Sequence, residues 1–337
     1  VPLGLKTWFE GMGVMNVFEL DWYENHSFSG VSVTCLPSQH WSKRTLTKSF
    51  DTLWASWSID VGGFKFWLVD WHIESGTNAI VVVGTTGESA TLSPAEHCEL
   101  VGHCVSYVNH RIPVIAGTGS NNTHEALEFT SDAAKFGADA ALLVTPYYTR
   151  PSQEGLFQHF KVIADSVDIP QILYNVPGRT ACDLSFETIE RLTQLDNIVG
   201  IKDATGDLQT GLKLVDAFGA RLAVYSGEDG LSRELTLAGA DGTISVTANV
   251  APLLMSQMCA AALAGDRAEA ERRDGVLTAL HETLFLEGNP VPVKWALAKM
   301  GLIAPALRLP LVELSLKYHV QVSHALAAAG IEINLDV

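Results

Sequence analysis

Paired cysteines, long apolar runs and basic charge are what this 337-residue chain lacks. Its five cysteines (Cys35, Cys98, Cys104, Cys182 and Cys259) are scattered, odd in number and without a Cys-x-x-Cys pair. That excludes a disulfide framework and a zinc ribbon, and fits free thiols in a reducing, cytoplasmic setting. No stretch of about 18 apolar residues occurs, so no membrane span is expected. Basic residues number 22 against 38 acidic, a formal charge of −16, which excludes a basic nucleic-acid footprint. An anionic substrate must then be met by local positive groups, because the overall field repels it. The 11 histidines form no H-x-H or H-x-x-x-H cluster, so no metal is expected. The glycine fingerprint of a dinucleotide fold is also missing, since "GTTGES" and "GTGSNN" space their glycines wrongly. The amino end lacks a basic start followed by an apolar core, so a signal peptide is not expected. Its acidic residues argue against a transit peptide.

What is present is a regular alternation from residue 79 onward. Short β-branched runs recur: "AIVVVGTTG" (79–87), "IPVIAGTG" (112–119), "AALLVTPYY" (140–148), "PQILYNVPG" (170–178), "NIVGIKDA" (197–204), "LAVYSGED" (222–229) and "GTISVTAN" (242–249). Amphipathic stretches lie between them. The stretch at 93–109 opens with Ser93, Pro94 and Glu96, a helix-start signature, and the one at 122–137 closes on the stop residue Gly137. Strand–helix units spaced about 20–35 residues apart predict a parallel sheet. Seven of them point to an α/β (β/α)8 barrel, with an open doubly wound sheet as the alternative. Polar residues gather at the carboxyl ends of the runs, where barrels build their sites. From about residue 250 the pattern turns helical and alanine-rich. The reading is an atypical segment 1–67, a barrel over 68–255 and a helical region over 256–337. The eighth strand must come from 1–67, and the candidates are "GVSVTCLP" (30–37) and "TLWASWSI" (52–59).

One residue stands out against this frame. In "NIVGIKDATG" (197–206) an apolar strand runs straight into Lys202. Its stem can pack inside while its head reaches a partner such as Asp203. Alternatively it is a nucleophile, kept as a free amine by apolar surroundings.

The segments "GTTGES" (84–89), "VTPYYTRPSQEGLFQHF" (144–160), "ILYNVPGRT" (172–180), "GIKDATGD" (200–207) and "SVTANVAP" (245–252) resemble the dihydrodipicolinate synthase family, also called 4-hydroxy-tetrahydrodipicolinate synthase. The likeness runs from Leu68 to Leu335. It implies a class I aldolase of lysine and diaminopimelate biosynthesis. Such an enzyme condenses pyruvate, held as a lysine Schiff base, with L-aspartate 4-semialdehyde and needs no cofactor. Lys202 then resembles the Schiff-base lysine, Tyr174 the proton shuttle, Thr85 its link to a second tyrosine, and Tyr148 that tyrosine, supplied from a neighbouring subunit. Thr86 resembles the pyruvate carboxylate cradle and Arg179 the grip on the semialdehyde carboxylate. Gly227 and Ile244 match positions whose backbone lines the site. The family also implies a homotetramer built as a dimer of dimers, and a lysine effector site at Ser89, Ala90, His97, Asn121, Glu125 and Tyr147. In that site, Pro94 replaces a histidine common in lysine-sensitive members.

Each position has a plainer role open to it: Tyr147 and Tyr148 as aromatic core, Thr85 as a turn residue, Arg179 as a surface ion pair. Related lyases act on other aldehydes and resemble one another in lacking the arginine after "YNVPG". An idle keto-acid-binding relative is the reading of another class. The amino end departs from the family. No Thr-Pro pair stands roughly 30 residues, one βα unit, before "GTTGES". The region reads as an unrelated or out-of-frame stretch in place of the first strand and most of the first helix, the match resuming at "LVDWHIESGTNAI" (68–80).

Overall fold

The computed structural model describes residues 67–333, together with Phe18 and the backbone of six short strands nearer the amino terminus. The chain divides into two compact units, Val1–Trp71 and His72–Val337.

In the first unit the strands are β1 (Asn25–Phe28), β2 (Val31–Pro37), β3 (Lys43–Thr45), β4 (Lys48–Ser49), β5 (Ala55–Val61) and β6 (Phe64–Lys65). Four of them form an antiparallel sheet in the order β1-β2-β5-β6, while β3 and β4 pair with each other. Segments 30–37 and 52–59, where described, supply β2 and β5, and these pair antiparallel, Val31 opposite Val61. The helix Trp67–Glu74 follows.

The second unit is built on seven parallel strands: β7 (Ile80–Val82), β8 (Val114–Gly117), β9 (Ala140–Val144), β10 (Gln171–Asn175), β11 (Ile198–Asp203), β12 (Ala223–Ser226) and β13 (Gly242–Thr243). Their order in the sheet is strictly sequential, β7 at one end and β13 at the other. A doubly wound sheet would reverse its order at a switch point, so the sequential order selects barrel topology over the open alternative.

Between the strands run the helices Pro94–Val108, Thr123–Phe136, Gln153–Ser166, Phe186–Leu192, Leu208–Phe218 and Asp229–Leu237. The local sequence explains where they start. Ser93, Asn122, Ser152, Ser185 and Asp207 each accept a backbone N–H of the first turn. Ser93 and Glu96 form a reciprocal capping box with Pro94 in the first turn, and Gly137 ends its helix in the left-handed conformation at φ 85°.

Alternation along the strands splits the core into two layers. Leu143, Leu173, Ile201 and Val224 pack outward against helix residues such as Leu156, Phe160, Ile189 and Leu214. Their neighbours Leu142, Ile172 and Tyr174 form a separate inner cluster with Ala140, Val176 and Ala204. The central strands β9 and β10 are buried on both faces almost throughout, which is why their runs read as continuously apolar.

The alanine-rich carboxyl end breaks into Pro252–Leu263, Arg267–Gly275 and Thr278–Thr283, followed by Val291–Lys299 and Leu316–Ala328. The first break falls at Gly265, at φ 74°, and Asp266 caps the next helix. A buried polar chain ties these helices to the barrel. Thr247 Oγ1 lies 2.9 Å from His281 Nδ1, and His281 Nε2 lies 3.2 Å from Asp274 Oδ1. Asp274 is also paired with Arg233 at 3.1 Å. No helix among the described residues is long and apolar enough to cross a membrane.

Candidate active site

The inner layer ends at the carboxyl face of the strands, and the polar residues singled out by the sequence stand there. Lys202 lies in β11 with Tyr174 of β10 opposite it on one side and Tyr225 of β12 on the other. Alternation turns Lys202 inward and Asp203 outward. Lys202 Nζ sits 4.3 Å from the centroid of the Tyr174 ring. Tyr174 is buried among inner-layer residues, and Lys202 is half-buried. Asp203 is engaged elsewhere, accepting the Thr205 hydroxyl at 3.0 Å. Asp203 therefore does not serve as the partner that a snorkelling lysine would need.

Space for the lysine stem comes from Gly227. A Cβ there would stand 2.8 Å from Lys202 Cε and 2.7 Å from Ala204 Cβ, closer than real carbons approach. Gly227 N–H donates to Asp203 O at 2.6 Å, and Ile244 N–H donates to Ser226 O at 2.9 Å, so both backbones continue the strand ladder at the rim.

Thr85 and Thr86 follow β7 in a turn with an unusual backbone: Val83 lies at φ 49° and Glu88 at φ 56°. Gly117 permits this, since a Cβ on it would meet Val83 O at 2.5 Å. Thr86 Oγ1 accepts from Asn289 Nδ2 at 3.0 Å. Arg179 is exposed on the short helix Pro177–Thr180 after β10. That helix is fastened by Thr180, whose hydroxyl bonds Thr145 Oγ1 at 3.1 Å, Val176 O at 3.2 Å and Cys182 O at 3.0 Å. Tyr148 stands 89 % exposed, with φ at 71°.

Two residues the sequence reading missed belong to this rim. Glu228 follows Gly227 directly, and burial raises its carboxyl pKa, as do the charges of Asp229 and Asp203, while Lys202 and Arg179 lower it. The carboxylate thus shares a field with the strand lysine and the rim arginine. The acid in "SGEDG" was its only sequence signal. Asn289, buried and 203 residues from Thr86, had none.

Of the positions assigned to an effector, His97 lies on the 94–108 helix and Glu125 on the 123–136 helix. His97 is buried and stacked on Phe129, ring centroids 4.1 Å apart. Burial lowers its pKa, while a backbone hydrogen bond with Gly117 and the charge of Glu125 raise it. Glu125 accepts a hydrogen bond from buried Ser120. Ser89 and Ala90 lie in the short 3-10 turn Ser89–Thr91; Asn121 and Tyr147 are half-buried. Among the described residues no group of three or more His, Cys, Asp or Glu could hold a metal ion.

A parallel α/β barrel with a lysine against a tyrosine at the carboxyl ends of its strands has the layout in which an amine and a hydroxyl could work together on a carbonyl substrate. Residues 64–329 match the dihydrodipicolinate synthetase family, and the chain belongs to it. The 4-hydroxy-tetrahydrodipicolinate synthase of Marinobacter nauticus is 59% identical over 265 residues, 78% of this chain and 91% of that protein. The crystal structure of the chloride-inhibited dihydrodipicolinate synthase of Acinetobacter baumannii complexed with pyruvate is 56% identical. It covers 79% of this chain and 91% of its own, with a TM-score of 0.78. The Cyanidioschyzon merolae enzyme, solved with lysine bound, is 38% identical over 79% of this chain and 91% of its own, with a TM-score of 0.76.

Proposed function

We propose that this chain condenses pyruvate with L-aspartate 4-semialdehyde to give 4-hydroxy-tetrahydrodipicolinate, a step of lysine and diaminopimelate biosynthesis. The observation that carries the reading is the packing of Lys202 against Tyr174, on a barrel 56–59% identical to synthases of that name.

The chemistry follows from the side chains. The Lys202 amine attacks the keto carbon of pyruvate, and loss of water leaves an imine. Its nitrogen withdraws electrons, so the methyl group gives up a proton and becomes an enamine. The enamine carbon attacks the aldehyde. The substrate's own amine then displaces Lys202 from the imine carbon, closing the ring and freeing the lysine. The steps move protons among the amines, the carbinol oxygen, the methyl carbon and the aldehyde oxygen, and the Tyr174 hydroxyl can both donate and accept them beside the imine. Thr85 and Tyr148 extend the relay. Thr86 and the turn around it receive the pyruvate carboxylate, with Gly227 and Ile244 offering backbone. Arg179 grips the carboxylate of the semialdehyde through its planar fork.

The high exposure of Tyr148 supports its use in a neighbouring subunit's site, and hence a homotetramer made of two tight dimers. The free thiols Cys98, Cys104, Cys182 and Cys259 support a cytoplasmic setting. Lysine inhibition is weak in this reading: Pro94 contributes no side-chain donor, and Glu125 already holds Ser120. Submillimolar inhibition on titration with lysine would overturn that point. The function itself is tested by supplying pyruvate with L-aspartate 4-semialdehyde, and separately with sugar-derived aldehydes. Turnover should favour the semialdehyde, and a preference for the sugar aldehydes would reassign the substrate.

A further inference from the structure

The turn proposed to hold the pyruvate carboxylate, Gly84–Ser89, is fastened from the far end of the chain. Glu88, at φ 56° in that turn, carries a carboxylate whose side chain is only 11% exposed. One of its oxygens accepts from Lys294 Nζ, and the other accepts from the backbone N–H of Arg308 at 3.1 Å. Two residues earlier, Thr86 is bonded by Asn289. Asn289 and Lys294 lie at the start of the Val291–Lys299 helix, so one carboxyl-terminal element grips the turn at two points. The Arg308 N–H is a third hold, and the Arg308 side chain is itself pinned to the helix after the turn by a bidentate pair with Glu96 at 2.8 and 2.9 Å. The opposite side of the turn is fixed by Val83 against Gly117.

We infer that Lys294 and Asn289 are positioning residues for the pyruvate-binding turn. Neither is required to touch the reacting atoms. Lys294 holds Glu88 in its left-handed conformation, which few non-glycine residues adopt without support. It also neutralises a carboxylate two residues from Thr86, where an uncompensated negative charge would oppose the incoming pyruvate anion. Asn289 orients the Thr86 hydroxyl. The carboxyl-terminal helices thereby set the affinity of the first substrate and leave the second, gripped by Arg179 on the far side of the rim, unaffected. The inference rests on the assignment of Thr85 and Thr86 to pyruvate.

Steady-state kinetics with both substrates varied, joined to borohydride trapping of pyruvate, test it. In Lys294→Met the half-saturating pyruvate concentration should rise about tenfold or more, while that for the semialdehyde stays within about twofold. Saturating pyruvate should still label Lys202 completely. Lys294→Arg, which keeps the charge, should stay within about threefold of the native chain. A purely structural role would lower stability or move both substrates together. A folded Lys294→Met chain with an unchanged pyruvate dependence, or with both dependences shifted equally, overturns the inference. If that variant does not fold, Asn289→Ala is judged by the same criteria. Absence of labelling in the native chain overturns the Lys202 assignment and this inference with it. Native labelling with unaltered pyruvate dependence in the variants overturns only the positioning role.

Discussion

Lys202 and Tyr174 stand side by side on adjacent parallel strands, and the lysine nitrogen lies 4.3 Å from the centre of the tyrosine ring. The aromatic face gives the lysine head a neighbour that does not tie up its nitrogen in an ion pair, and the phenol travels with it at the same level of the barrel. The proposed nucleophile and its proposed proton carrier are thus brought together by sheet register alone.

Gly227 limits how that lysine can extend. Gly227→Ala would place a carbon 2.8 Å from Lys202 Cε. Overpacking of this kind costs about 1–3 kcal/mol. The expected outcome is a lower Tm and slower imine formation, measured by calorimetry and by the rate of borohydride trapping. An unchanged trapping rate would show that the lysine takes another path.

Arg179, proposed to grip the semialdehyde, should separate the two half-reactions. Arg179→Ala should leave pyruvate trapping intact while turnover with the semialdehyde falls. Loss of a charged hydrogen bond costs about 1.5–3 kcal/mol, or roughly 10- to 150-fold in kcat/KM. Equal loss of trapping and turnover would make Arg179 a structural residue.

Asp203 makes stability depend on pH. Burial raises its carboxyl pKa to about 6, hydrogen bonds with Thr205 oppose the rise, and the charges of Asp183 and Asp207 add to it. Its Oδ1 has no hydrogen-bond partner among the described residues. The folded chain therefore binds this proton more tightly than the unfolded chain does. The contribution is complete below the unfolded value near 4, and is lost as pH rises through about 6. Asp203→Asn should gain about 1–3 kcal/mol in denaturant unfolding at about pH 8 and nothing at about pH 4. A gain of equal size at both would contradict the sign.

Tyr148, proposed to complete a neighbouring subunit's site, should link catalysis to assembly. Mixing a Lys202→Ala chain with a Tyr148→Phe chain should restore activity above that of either alone, because some shared sites then combine an intact lysine with an intact tyrosine. No recovery in a co-assembled oligomer would place Tyr148 outside the relay.

The barrel was readable because most of its strands are apolar runs and five of the six helices between them open on a capping side chain. Ser93, Asn122 and Asp207 mark their starts within a residue. The site was readable where its residues sit in a local run, as Lys202 does in "GIKDATG". Glu228 escaped because an acid at a strand end reads as ordinary surface, and only tertiary structure brings it under the charges of Lys202 and Arg179. Asn289 and Lys294 escaped because their partners lie 203 and 206 residues away, where no periodicity reaches. The carboxyl-terminal region read as helical, and the boundary between its first two helices falls at Gly265, whose left-handed conformation an α-helix cannot continue.

The central claim is that Lys202 forms the imine with pyruvate, and intact-mass measurement after borohydride reduction addresses it directly. The native chain should gain one reduced pyruvate per protomer, mapped by peptide analysis to the segment around Lys202, and Lys202→Ala should gain none. Labelling that persists in Lys202→Ala, or that maps to another lysine in the native chain, would contradict the account.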